Sequence, residues 1–147
     1  MNKEDVYKEI LSIKEAFGVF ATVNQDRPQA ATMYFICSEN LDIYFMTKTS
    51  TRKYKNLMEN PHVAFVLTDN HPPKTIQIEG KAIEVMDPAE QTTYYPQLVE
   101  KARTNVSMPP IEQIASGEVV FMKLTPDWIR IGNFQLMREG DHFTRAQ

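Results

Sequence analysis

Apolar positions near the start of the chain fall on one helical face: Val6, Ile10, Ile13 and Phe17 follow one another at intervals of four, three and four, with polar residues between them. The spacing predicts an amphipathic helix over residues 3–17, ended by Gly18. The period then changes to short apolar and β-branched runs at residues 19–24, 29–38, 42–47, 62–68, 74–85, 118–125 and 128–131. Each run reads as a strand.

The separators between runs carry turn chemistry. Asn24-Gln25-Asp26-Arg27-Pro28 and Glu39-Asn40-Leu41 suit hairpins, and residues 69–73 form a tighter, proline-rich connection. Successive hairpins imply an antiparallel sheet, and about seven strands with few helices imply a small closed or partly closed barrel, because closure removes exposed edges. Gly80 lies inside the longest run, where such a strand would bend or bulge. Two more helices interrupt the strands. Asp87-Pro88-Ala89-Glu90 predicts a helix from Pro88 until Pro96 disturbs it. Thr49-Ser50-Thr51 offers caps for a second helix, with Tyr54, Leu57 and Met58 as its apolar stripe and Asn60-Pro61 as its stop. Residues 103–117 read as a loop and 138–147 as a polar tail, within one domain spanning 1–147.

Composition narrows the chemistry. Only 5 glycines are present, at positions 18, 80, 117, 132 and 140, so no Gly-rich loop for a dinucleotide or nucleoside triphosphate can be written. Any bound phosphate must be held by side chains or an ordinary helix start. The net charge of −3 lacks the field that holds a nucleic-acid backbone. A single Cys37 fits a reducing compartment, and no apolar run approaches the roughly 18 residues of a membrane span. A cytoplasmic protein without membrane or nucleic-acid partners is the expectation. His62, His71 and His142 have no metal-site spacing, so no metal is expected.

One segment stands apart. Thr47-Lys48-Thr49-Ser50-Thr51-Arg52-Lys53 gathers hydroxyls and cations at the start of a short helix. The positive end of a helix favours acids by about 0.3–1 kcal/mol each, so Arg52 and Lys53 oppose local stability unless an anion binds there. Free N–H groups, hydroxyls and cations make a phosphate site. The other reading is a solvated basic turn neutralised by Asp42, Glu59 or another surface acid.

From Phe17 to Val85, the hairpins, Thr51-Arg52-Lys53, the helix Asn56-Leu57 to Asn60-Pro61 and the strand centre Glu79-Gly80-Lys81-Ala82 together resemble the pyridoxamine 5'-phosphate oxidase-like family of FMN-binding split barrels. The resemblance implies a mainly β fold with short helices, a six- to seven-stranded antiparallel split barrel, and a homodimer with FMN between the subunits. It implies that Arg52 and Lys53 bind the FMN phosphate, with Thr47 and Thr51 adding hydroxyls and Met46 beside them. Ala31, Thr32, Met33 and Tyr34 would run under the isoalloxazine, Thr75 or Gln77 would reach the flavin from the partner chain, and Arg130 or Trp128 would close the far side. A deazaflavin is the other cofactor of this superfamily.

The departures bear on the substrate. The oxidase has basic residues where this chain reads Ala30-Ala31-Thr32-Met33-Tyr34-Phe35-Ile36, and its C-terminal Arg-x-His is absent, since His142 stands between Asp141 and Phe143. The resemblance thus implies a flavin-binding scaffold and a small-molecule substrate rather than pyridoxamine phosphate oxidation. No acid–base pair is evident, and no catalytic side chain is assigned; a flavin would supply the redox chemistry. A non-catalytic flavin carrier or sensor, and a flavin-free dimeric binding module, are the other functions this sequence allows. Cys37 reads as a packed residue, most of Tyr94, Tyr95 and the methionines as core, and Thr75, Gln77 and Glu79 as one polar strand face.

Overall fold

The structure, a computed structural model, describes residues 1–105, 116–134 and 143–145. Helix α1 (Lys3–Leu11) opens with a capping box between Asn2 and Asp5 and buries Val6 and Ile10. It is shorter than its apolar stripe predicts. Ile13 and Ala16 are buried from irregular chain, while Phe17, 43 % exposed, already belongs to a strand. Gly18 is no helix stop but a strand residue against the core, where a Cβ would stand 2.5 Å from the Phe65 ring.

The strands are β1 (Phe17–Asn24), β2 (Arg27–Tyr34), β3 (Ile36–Cys37), β4 (Ile43–Lys48), β5 (His62–Asn70), β6 (Pro73–Glu84), β7 (Val119–Asn133) and β8 (Phe143–Arg145), with helices α2 (Arg52–Glu59) and α3 (Pro88–Asn105) between them. Every ladder is antiparallel, and the sheet runs β2-β1-β5-β6-β7-β4-β3, with β8 added on β7. Only Phe35 separates β2 from β3 in the chain, so the two ends of this path are joined and the sheet curls into the expected split barrel. Its interior holds Phe20, Phe45, Phe65, Leu67, Ile76, Ile78 and Leu124.

Three further expectations change. Residues 118–125 and 128–131 form one strand, β7, whose register against β6 slips between Glu79 and Gly80. Gly80 faces Pro126, and a Cβ there would meet the Thr125 carbonyl at 2.2 Å. The bulge predicted at Gly80 is present, and it is what accommodates Pro126 inside a strand. Helix α3 continues through Pro96 to Asn105, because Leu98 and Ala102 beyond it are fully packed and tertiary burial outweighs the lost helical hydrogen bond. Residues 103–105 are therefore helix, not loop, while 106–115 lie outside the described residues. Of the polar tail, 143–145 pair with β7 as β8; the rest, His142 included, lies outside the described residues.

Candidate functional site

β4 delivers Thr47 to a turn that ends at Thr51, the N-cap of α2. The Thr51 hydroxyl donates to the Lys48 carbonyl at 2.8 Å and accepts from the Tyr54 amide at 3.3 Å. Thr47 Oγ1, 2.8 Å from Thr51 Oγ1, is then the donor of that pair. The turn is clamped from outside as well: Thr49 Oγ1 accepts from the Glu118 amide, and Ser50 Oγ donates to the Ser116 carbonyl. The hydroxyls of Thr47 and Thr51 are thus engaged within the turn, and they fix where α2 begins.

What the turn presents is charge. Arg52 and Lys53 occupy the first turn of α2, which holds no acidic residue. Arg52 is exposed and Lys53 half-buried. Burial, and secondarily the neighbouring Arg52, push the Lys53 ammonium below the usual lysine range. Among the described residues neither cation has an ion-pair partner. Neither Asp42 nor Glu59 pairs with them: Asp42 accepts from Thr125 Oγ1 at 3.0 Å, and Glu59 stands at the other end of α2.

Beside the cations lies a cavity of about 120 Å³ lined by Phe20, Thr22, Gln29, Ala30, Ala31, Arg52 and Lys53. Its polar wall was not among the residues expected from sequence. Asn56, on the inner side of α2 and 5 % exposed, donates from Nδ2 to Thr22 Oγ1 at 2.9 Å and to Gln29 Oε1 at 3.0 Å. Thr22 and Gln29 are cross-strand partners. A sequence signal existed: Thr22 shares a strand face with Phe20, and a polar residue on a buried face needs a partner. α2 also departs from its predicted stripe, burying Asn56 and Leu57 while Met58 is exposed.

The expected site residues divide into separate groups. Ala31, Thr47, Thr51, Arg52 and Lys53 gather at the cavity corner. Met33 is in the core. Met46 projects from β4 on the face opposite Thr47 and, with Tyr34, packs against the cluster of Tyr44, Val85, Leu98 and Phe121. Thr32, Gln77 and Arg130 fall in one row across the sheet's outer face, through the pairs Thr32–Val19–Val66–Gln77–Arg130. Three ladder steps put Thr32 and Gln77 about 14 Å apart. Arg130 donates to Gln77 Oε1 at 2.8 Å and lies 5.5 Å from the Trp128 ring; Thr75 sits two residues before Gln77 on the same face.

Cys37 is buried, and burial pushes its thiol up to about 12, the state of an unreactive packed cysteine. No cluster of metal-ligating side chains occurs among the described residues. No helix among them is long and apolar enough to cross a membrane.

Residues 4–132 match the family described as Pyridoxamine 5'-phosphate oxidase. A pyridoxine/pyridoxamine 5'-phosphate oxidase of Ehrlichia ruminantium is 33 % identical over 78 residues, which is 52 % of this chain and 40 % of that protein. Two solved structures are similar in fold. An FMN-binding, pyridoxamine 5'-phosphate oxidase-related protein of Nostoc punctiforme superposes with a TM-score of 0.61 at 13 % identity, covering 97 % of this chain and 84 % of the other. An F420 reductase superposes with a TM-score of 0.62 at 25 % identity, covering 82 % and 94 %.

Proposed function

Because the chain belongs to the pyridoxamine 5'-phosphate oxidase family, we propose that it binds FMN and acts as a flavin-dependent oxidoreductase on a small molecule. The observation that carries this reading is the α2 corner, where two cations without an ion-pair partner among the described residues flank a cavity. Such a donor set fits a phosphomonoester: the Arg52 guanidinium offers a fork, the Lys53 ammonium a point charge, and the start of α2 its free N–H groups. Bound flavin supplies the redox chemistry by taking up hydride or electrons, and the chain's residues bind and orient it.

The second group of expected residues fits a homodimer. Thr75, Gln77 and Arg130 lie on the outer sheet face, with three ladder steps between Gln77 and Thr32, and as in the family they would contact a flavin held by the partner's cation corner. Phe17 and Val19, both exposed on that face at 43 % and 45 %, supply apolar surface for the contact. Pyridoxamine phosphate is not the proposed substrate, because Ala31–Ile36 offers none of the oxidase's basic residues.

Flavin titration of the apo protein tests the reading. FMN should bind, and the double variant Arg52→Ala with Lys53→Ala should weaken it by about 100-fold or more. Equal affinity in the double variant would overturn the phosphate assignment. Tighter binding of the deazaflavin F420 than of FMN would move the protein to the chemistry named for the F420 reductase it resembles. Mixing the loaded protein with NADH or NADPH then separates an oxidoreductase, whose flavin is reduced, from a carrier, whose flavin is not.

A further inference from the structure

We propose that Asn56 is a positioning residue that turns Gln29 and Thr22 into hydrogen-bond donors for the phosphate of the bound cofactor, an inference that rests on the FMN reading above. The direction of the hydrogen bonds carries it. An amide nitrogen only donates, so Asn56 Nδ2, at 3.0 Å from Gln29 Oε1 and 2.9 Å from Thr22 Oγ1, occupies acceptor sites on both partners. Gln29, which lines the cavity, is then held with Oε1 toward α2, and its Nε2 hydrogens are left for another acceptor. The Thr22 hydroxyl, already accepting, keeps its proton to donate, and its side chain is 2 % exposed and lines the same cavity.

The cavity's lining side chains thereby offer an amide NH2, a hydroxyl proton, a guanidinium and an ammonium, with no carboxylate among its lining residues. Gln29 Oε1 and Thr22 Oγ1 each keep a second lone pair but already accept from Asn56, whereas a tetrahedral oxyanion can accept from all four of these donors. β2 itself bears no Arg or Lys beyond Arg27 at the hairpin, so on this wall neutral donors do the work of charge. Ala30 and Ala31 leave the room.

The test compares FMN with riboflavin, which has the same ring and no phosphate. Gln29→Met, close in volume and without hydrogen-bonding atoms, should lower FMN affinity about tenfold and leave riboflavin affinity unchanged; Thr22→Val should act in the same direction. Asn56→Asp, which replaces the fixed donor by an acceptor, should reduce the FMN-to-riboflavin affinity ratio further than either. In the unmodified protein, the side-chain NH2 resonance of Gln29 should shift on adding FMN or inorganic phosphate and stay in place with riboflavin. Wild-type binding of FMN that Gln29→Met leaves intact, or that it weakens in parallel with riboflavin, overturns this inference alone. A wild type that binds no flavin overturns the functional reading separately. In that event a Gln29 amide that inorganic phosphate does not move overturns the inference too.

Discussion

Polar groups are buried at two corners of the barrel, under α2 and under α3, and their hydrogen bonds are completed differently. Under α3, the hydroxyl of Tyr44, itself 1 % exposed, donates to Glu90 at 2.6 Å, and Lys123 donates to the same carboxylate oxygen at 2.6 Å. The Tyr44 ring stacks between Tyr94, at 4.3 Å, and Phe121, at 5.4 Å. Donors and acceptor there meet within the chain. Under α2, Asn56 donates to Thr22 and Gln29, while Arg52 and Lys53 meet no acid among the described residues. A balanced polar cluster stabilises a fold; a surplus of one sign is ready for a ligand.

This contrast can be broken by measurement. The largest expected effect is on the α3 side, where Glu90→Ala leaves Lys123 and the Tyr44 hydroxyl without their acceptor and should cost about 3 kcal/mol in urea unfolding, with FMN affinity unchanged. Tyr44→Phe removes one hydrogen bond and should cost about 1–1.5 kcal/mol. Loss of flavin binding in either variant, with the fold intact, would show that the corners are coupled.

Acid sharpens the comparison on the α3 side. The hydrogen bond from Lys123, and next that from Tyr44, hold Glu90 below the usual carboxylate range. Its contribution is therefore present above the unfolded carboxylate value and is lost as pH falls through the lowered one. Glu90→Gln should destabilise at neutral pH and converge with the wild type in strong acid. On the α2 side the sign is opposite. Lys53 is held below its ordinary value of 10.5, so FMN affinity should fall as pH rises through that lowered value, and Lys53→Arg should flatten the decline. The smallest effect is on the fold itself: Arg52→Ala with Lys53→Ala should leave stability within about 0.5 kcal/mol of the wild type, or slightly above it, because it removes cations from the positive end of a helix.

The sheet was legible where local signals and tertiary packing agree. Hairpin residues at Asn24–Arg27, the caps of α2 and the bulge at Gly80 each announce themselves in the residues that form them. The boundary of α1 was not legible, because Ile13 is buried from irregular chain and continues a helical stripe by coincidence. Pro96 and the break read between residues 125 and 128 misled for one reason: each local interruption is overruled by neighbours distant in sequence, packing around Leu98 in the first case and a bulge opposite Gly80 in the second. At the site, Arg52 and Lys53 were visible as charges in an unfavourable place. Gln29 and Asn56 were not, since what gives them a role is which atom of each amide faces the other.

The join between β2 and β3 at Phe35 has a mechanical consequence. β2 carries Gln29 and Ala31 on one wall of the cavity, and the same stretch of chain continues through β3 and β4 to the turn that launches Arg52 and Lys53 on the other. Phe35 is buried and meets the Phe65 ring edge-on at 5.2 Å, so the seam is pinned to the core. The gap between amide and cations is thereby gauged by one continuous, anchored piece of backbone.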